Sequence, residues 1–543
     1  MSLTSFLQRL RSLSPLAVVA LTALWITATA NFTFFHEVGL AYPLADNGFF
    51  NASLALLLWA VLVFFIGLFS LVLPLRFVLG LFLVLAAVCG YYTDQFHTII
   101  NADMLENAAE TDTAEVRDLI TPGLLLRLAT ALLLVALLYF WQPKKVSLLK
   151  SRLYYGLYSA GSLLVMITTI LLFSSSYASF FREHKTLRSY TTPLMAIYSA
   201  IQFSAAKFAH AGPVTHKIIA ADAKIVEADF ERELIILVVG ETARRDHFSL
   251  NGYERPTNPL LAQEDSLISY THIQSCGTAT AVSVPCMFSV DGREEFSIET
   301  SLHQDNLLDI LDRAGVSVLW RDNNSSSKGV ANRVAYQDFR KPENNPVCDE
   351  ECRDVGMLAG LQAYIDQQPG DILIVLHQMG NHGPAYFKRY PPEFEQFKPT
   401  CQSLELAECS EAEIINAYDN AILYTDYFLD QVIQLLQANT PQYETAMLYV
   451  SDHGESLGEF GLFLHGAPYM LAPEQQTAVP VVLWLGASAD IELQEALLQK
   501  DKQSSHDAIF HSLIAAFEVQ SKDLEGMPQL FETNDSHHYS SAQ

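Results

Sequence analysis

Apolar and polar positions split this 543-residue chain into two regimes. Over the first third, apolar stretches run at 16–35, 51–73, 77–92, 124–141 and 156–174. Each comes near the ~20 residues that a helix needs to cross a hydrocarbon core. One such stretch alone could be a buried soluble helix, but five in succession predict five transmembrane helices. Trp25, Phe32, Phe34 and Phe35 crowd the end of the first stretch, where a cleaved signal peptide would need small residues.

From about residue 231 the pattern changes to short apolar runs that end in polar loops. "ELIILVVGE", "VSVLWRDN", "DILIVLHQMGNHG", "TAMLYVSDHGES" and "VPVVLWLG" read as buried strands of a largely parallel sheet. "NLLDILDRAG" and "EAEIINAYDNAILYTDYFLDQVIQLLQ" are helical candidates between them. Alternating strands and helices predict an α/β sandwich. The expected organisation is a membrane domain over 1–175, interfacial linker helices over 176–230 and a soluble α/β domain over 231–543.

Charge and cysteine placement sharpen that picture. Half the residues are hydrophobic, yet the formal charge is -27. One evenly mixed soluble domain rarely combines those properties, and so negative a balance argues against a nucleic-acid partner. Arg9 and Arg11 precede the first span, Arg76 sits between the second and third, and Lys144, Lys145, Lys150 and Arg152 lie between the fourth and fifth, while the intervening loops are acidic. The positive-inside rule then puts the N-terminus in the cytoplasm and everything after about residue 175 outside. Six of the seven cysteines fall in that outer region, in the local pairs Cys276/Cys286, Cys348/Cys352 and Cys401/Cys409. Disulfides in an oxidising compartment fit, and without any C-x2-C spacing zinc-binding cysteines fit less well.

Candidate chemistry gathers where the strands end. Glu241, His377, His382, Asp452 and His453 sit at strand exits, the side of such a sheet where ligands collect. Carboxylates and imidazoles without thiolates suit zinc or manganese. In "SCGTATAVSVPCMFS", five hydroxyl residues lie around the Cys276/Cys286 pair. The alternation reads either as a strand edge or as a loop holding one reactive hydroxyl, and spacing does not choose among the five.

Along "VVGETARRDHFSLNGYERPTNP", "SCGTATAVSVPCMFS", "HQMGNHGPAYFKRYPPEF" and "SDHGESLGEFGLFLHGAPY" the chain resembles the phosphoethanolamine transferases that modify lipid A. That group includes the mobile colistin-resistance enzymes and belongs to the alkaline phosphatase/sulfatase superfamily. The resemblance implies an α/β/α sandwich of that type behind five transmembrane helices. It implies Thr280 as nucleophile, joined by Glu241, Asp452 and His453 around a catalytic Zn2+. His382 and His465 match histidines that contact the phosphoethanolamine group or a second zinc, and Ser325, Lys328 and His377 match other substrate contacts. Asn107, Thr111 and Glu115 align with residues that hold the donor headgroup. Related enzymes often carry two more cysteines where this chain has Ser327 and Ala331, so the Lys328 loop is expected to lack that restraint and to be more mobile.

The function so implied is transfer of phosphoethanolamine from phosphatidylethanolamine to a lipid A phosphate through a threonine-linked intermediate. A monomer in the bacterial inner membrane, with a periplasmic catalytic domain, would lower outer-membrane negative charge and resist polymyxin. A phosphodiesterase, sulfatase or phosphoglycerol transferase, transfer to another glycan, and a non-catalytic receptor are the competing readings.

Overall fold

The computed structural model describes residues 12–110, 113–142, 146–184, 186–209, 215–226, 231–524 and 528–532. Arg9, Arg11, Thr111, Lys144 and Lys145 therefore lie outside the described residues. Two compact units form: Met1–Leu105 with Leu119–Ala205, and Glu106–Asp118 with Ala206–Gln543.

The N-terminal helices are α1 (Pro15–Thr29), α2 (Phe32–Ala41), α3 (Leu44–Phe69), α4 (Leu75–Phe96), α5 (Ala102–Glu110), α6 (Thr113–Leu119), α7 (Pro122–Phe140), α8 (Leu148–Leu172), α9 (Ser174–Glu183) and α10 (Leu194–Ala209). Of these, α3, α4, α7 and α8 are each long and apolar enough to cross a membrane. α1 and α2 make a fifth span when taken together, bent by 62°. The first apolar stretch is thus a broken helix rather than the continuous one expected. Its break is polar and buried: Asn31 donates Nδ2 to Ile26 O and Thr192 O, and accepts from Thr192 N. Asn31 and the threonines beside it mark a polar patch in this stretch, but the bend rests on a bond to Thr192, 161 positions away, which local pattern does not report. α3 packs along α8 and α4 along α7. Only 11% of the apolar window of α7 is buried, as suits a face turned to lipid.

The second unit is built on an eight-stranded sheet. Its strands are β1 (Glu233–Gly240), β2 (Leu267–Gln274), β3 (Ser317–Asp322), β4 (Ala335–Asp338), β5 (Ile372–His377), β6 (Glu444–Ser451), β7 (Ala478–Leu485) and β8 (Ser504–Ser505), in the order β8-β2-β7-β6-β1-β5-β3-β4. The centre, β6-β1-β5-β3, is parallel and β1, β5 and β6 are buried along their whole length. Burial on both faces is why these strands read as unbroken apolar runs. β7 runs antiparallel to both of its neighbours. Helices α11 (Thr280–Met287), α12 (Leu307–Ala314), α13 (Glu411–Asn439) and α14 (Asp507–Ala516) accompany the sheet. Capping boxes start α12 at Asn306 and α13 at Ser410, satisfying amide groups that the helix itself leaves without acceptors.

The hydroxyl-rich stretch is not a strand edge. Thr280–Met287 is helical, with Ala279 extended at its N-cap and accepting from the Val282 and Ser283 amides. The Cys276–Cys286 disulfide closes the turn that leads into it, and the pairs Cys348–Cys352 and Cys401–Cys409 also form. His506, fully buried between β8 and α14, ties this turn to the sheet. Its Nδ1 accepts from Cys276 N at 3.2 Å, and its Nε2 donates to Ser451 O at 3.0 Å.

Both of those bonds need a neutral ring, and burial pushes the His506 pKa down to about 4. The unfolded chain takes up this proton near pH ~6.5. His506 therefore contributes stability above that pH and loses it as pH falls towards 4. His506→Gln, which retains one donor and one acceptor, should reduce the pH slope of unfolding in that window by about one proton. Thermal unfolding of the full chain in detergent at a series of pH values reads the slope, and an unchanged slope would contradict the assignment.

Candidate active site

Adjacent parallel strands bring the first acidic pair together. Gly240 at the end of β1 is in register with Ser451 at the end of β6, so Glu241 and Asp452 leave the sheet side by side. His453 follows Asp452, and α11 presents Thr280 from its first turn. Glu241, Asp452 and His453 each offer a ligand atom, and these atoms lie within 4.8 Å of one another. Thr280 Oγ1 stands 3.2 Å from Glu241 Oε2 and 3.4 Å from His453 Nε2. His453 Nε2 is 3.3 Å from Asp452 Oδ2 and 3.5 Å from Glu241 Oε1. Thr280 is 4% exposed and the other three are fully buried.

Surrounding groups fix how these atoms point. His453 Nδ1 donates to Gly454 O at 2.9 Å, which leaves the Nε2 lone pair facing the cluster. Burial pushes the His453 pKa down to about 4, keeping the imidazole neutral. Asp452 Oδ1 accepts from Thr242 N and His453 N, whereas Oδ2 accepts no hydrogen bond among the described residues. Ser283 Oγ donates to Asp452 O, coupling α11 to the β6 exit. Asn324 donates Nδ2 to Glu241 Oε2 at 2.8 Å and to Gln378 O at 2.7 Å. Gly380 adopts φ +52°, and a Cβ there would stand 2.9 Å from Glu241 O. The loop after β5 can close on Glu241, with Asn381 N donating to that oxygen, because this position has no side chain.

Two further histidines adjoin the cluster. The His465 ring lies 4.4 Å from that of His453 and 5.3 Å from that of His382. His465 Nδ1 is 2.8 Å from Glu455 Oε2, and Tyr386 donates its hydroxyl to the other oxygen of Glu455. His382, Asn324 and Ser325 line a neighbouring cavity of about 230 Å3 with Arg340, Glu351 and Arg389.

The remaining expected residues are more dispersed. Lys328, at φ +49°, donates Nζ to Glu110 O at 3.2 Å. Lys388 and Arg389 both pair with Asp118. These contacts draw residues 106–118 into the second unit. Asn107 is buried on α5, Glu115 falls on α6 with its side chain outside the described part, and Thr111 is not described. His377 is fully buried with Nδ1 3.1 Å from Asp322 Oδ2. Its ring contact is Trp320, and it makes no hydrogen bond to the Thr280 cluster among the described residues. In the Lys328 loop, Ser327 Oγ accepts from Ala331 N at 3.2 Å.

Asn324 and Glu455 were not singled out from the sequence. Asn324 stands two residues past β3, the same strand-exit signal that marks Glu241, and Glu455 lies within "SDHGES".

Residues 233–519 match the family described as Sulfatase, and residues 58–208 match the one described as Phosphoethanolamine transferase EptA/EptB. The chain is 45% identical over 528 residues to phosphatidylethanolamine transferase Mcr-1 of Escherichia coli, covering 94% of this chain and 96% of that protein. The solved structure of the integral membrane protein lipooligosaccharide phosphoethanolamine transferase A from Neisseria meningitidis superposes with a TM-score of 0.89 at 34% identity, covering 94% of this chain and 97% of that one. The C-terminal periplasmic domain of phosphoethanolamine transferase EptC from Campylobacter jejuni matches at 40% identity and a TM-score of 0.52, over 57% of this chain and 95% of that one. A helical membrane region joined to a sulfatase-type α/β domain, matched over nearly the whole length, places this chain in the phosphoethanolamine transferase family.

Proposed function

We propose that the chain transfers phosphoethanolamine from phosphatidylethanolamine to a phosphate of lipid A, through a phosphoethanolamine ester on Thr280. The observation that carries this reading is the buried meeting of Thr280 Oγ1 with Glu241, Asp452 and His453. Relatives named as phosphatidylethanolamine and lipooligosaccharide phosphoethanolamine transferases support the donor and the glycolipid acceptor.

The donor set fits a zinc ion. Two buried carboxylates, a neutral imidazole and a hydroxyl come together without a thiolate, and Asp452 Oδ2 is buried without a hydrogen bond among the described residues. Bound zinc lowers the pKa of a ligating hydroxyl and offsets charge on phosphoryl oxygens. Thr280 Oγ1 attacks phosphorus as its proton passes to His465 Nε2, the phosphorus–glycerol oxygen bond breaks, and diacylglycerol leaves with that proton. His465, held at Nδ1 by Glu455, is placed to supply that proton through Nε2. In the second half-reaction a lipid A phosphate oxygen attacks the same phosphorus, and Thr280 Oγ1 leaves and regains its proton. Donor and acceptor are both lipids, so an enzyme anchored by its own spans meets them in one leaflet. We place that leaflet on the periplasmic side of the inner membrane, with the N-terminus cytoplasmic. The added amine masks negative charge and weakens attraction of cationic peptides such as polymyxin.

Two measurements test the reading. Mass spectrometry of lipid A from expressing cells should show the phosphoethanolamine-modified species with wild type and lose it entirely with Thr280→Ala. Modification that survives the substitution would sink the mechanism, and free phosphoethanolamine beside unmodified lipid A would favour a phosphodiesterase. Glu241→Gln removes one anionic ligand and should lower zinc retained after dialysis on the order of tenfold or more, read by elemental analysis. Equal zinc in both proteins would remove Glu241 from the ligand set.

A further inference from the structure

We propose that a cleft of about 240 Å3 between α1, α4 and α7 is a binding site for a glycerophospholipid. One acyl chain lies on its apolar wall, and the phosphodiester meets Arg127. Ile26 of α1, Leu83, Ala86 and Ala87 of α4, and Ala131 of α7 form that wall, and small alanines at three of these positions leave the space open.

Arg127 is the group that decides the ligand. A charged side chain within a membrane span is costly and is kept for a purpose. Arg127 lies five residues beyond Pro122, about 8 Å along the axis of α7 from its start, and so near one end of that span rather than at its middle. Its Nη1 donates to Asp94 Oδ2 at 2.7 Å, the one hydrogen bond that it makes among the described residues. The carboxylate is fully engaged, since Asp94 Oδ1 accepts from both the amide and the hydroxyl of Thr33. The pair is unevenly shielded, with Asp94 5% exposed and Arg127 35% exposed. Asp94 thus anchors the guanidinium to α2 and α4, and the guanidinium carbon also lies 5.7 Å from the centre of the Tyr91 ring. The other N–H donors of this cleft-lining residue make no hydrogen bond among the described residues. An ion pair that served only to hold the helices together would have no need of an open, apolar cleft against its cation. A phosphodiester accepts from those donors, and an acyl chain covers the alanines. The site is independent of the transfer reaction and does not require the lipid to be its donor.

Native mass spectrometry of the full chain in detergent tests this, with dioleoyl phosphatidylglycerol, dioleoyl phosphatidylethanolamine and dioleoylglycerol titrated separately. Wild type should retain one tightly bound phospholipid of either headgroup. Ala87→Phe and Ala131→Phe fill the cleft and should each weaken phosphatidylglycerol binding about tenfold; if one variant does not fold, the other decides. Arg127→Gln should weaken phospholipid about tenfold and leave dioleoylglycerol unchanged. Phosphatidylglycerol affinity unmoved by the folded phenylalanine variants would overturn the site. So would an Arg127→Gln effect of equal size on dioleoylglycerol, which would make the Arg127–Asp94 pair structural only. Binding confined to phosphatidylethanolamine and indifferent to all three variants would assign the lipid to the catalytic unit and overturn the cleft.

Discussion

The account depends on one electrostatic constraint. Glu241 and Asp452 are two fully buried carboxylates that converge on one hydroxyl and one neutral imidazole. Such a grouping is costly in a dry interior unless a cation compensates it. Parallel pairing of β1 with β6 creates the convergence, because it brings two strand ends to the same level of the sheet. The sheet thus supplies the charge, and the elements around it supply aim.

That aim comes from neighbours that each carry a small task. His506 and Ser283 tie the Thr280 turn to the end of β6, while Asn324 and the close-approaching Gly380 loop hold Glu241 from the β3 and β5 side. The Cys276–Cys286 disulfide limits where the first turn of α11 can go, and so where Thr280 Oγ1 can point. Preorganisation of this kind lets a weak nucleophile be presented without reordering the site during reaction.

Much of this was legible along the chain, for physical reasons. Strands buried on both faces leave unbroken apolar runs, and their polar exits are where Glu241, Asp452 and His453 stand in the sequence. The local cysteine pairs followed from spacing and compartment. Three things were not legible. The bend at Asn31 depends on a bond to the distant Thr192, and β7 runs antiparallel although its sequence looks like those of the parallel strands. The hydroxyl alternation around Thr280 imitates a strand, whereas backbone bonds to Ala279 and tertiary ties to Asp452 make it a helix. Local pattern reports burial well, but it does not report direction or a bond to a residue 169 positions away.

The helical unit shows the same economy, with Asp94 spent on positioning Arg127 and Thr33 rather than on solvent. The central claim concerns Thr280, and its most direct measurement is the intact mass of the purified, zinc-loaded chain after incubation with phosphatidylethanolamine and no acceptor. The account predicts a gain of one phosphoethanolamine group, mapped to the peptide that carries Thr280 and discharged when lipid A is added. An unmodified Thr280 peptide while transfer to lipid A proceeds would contradict it.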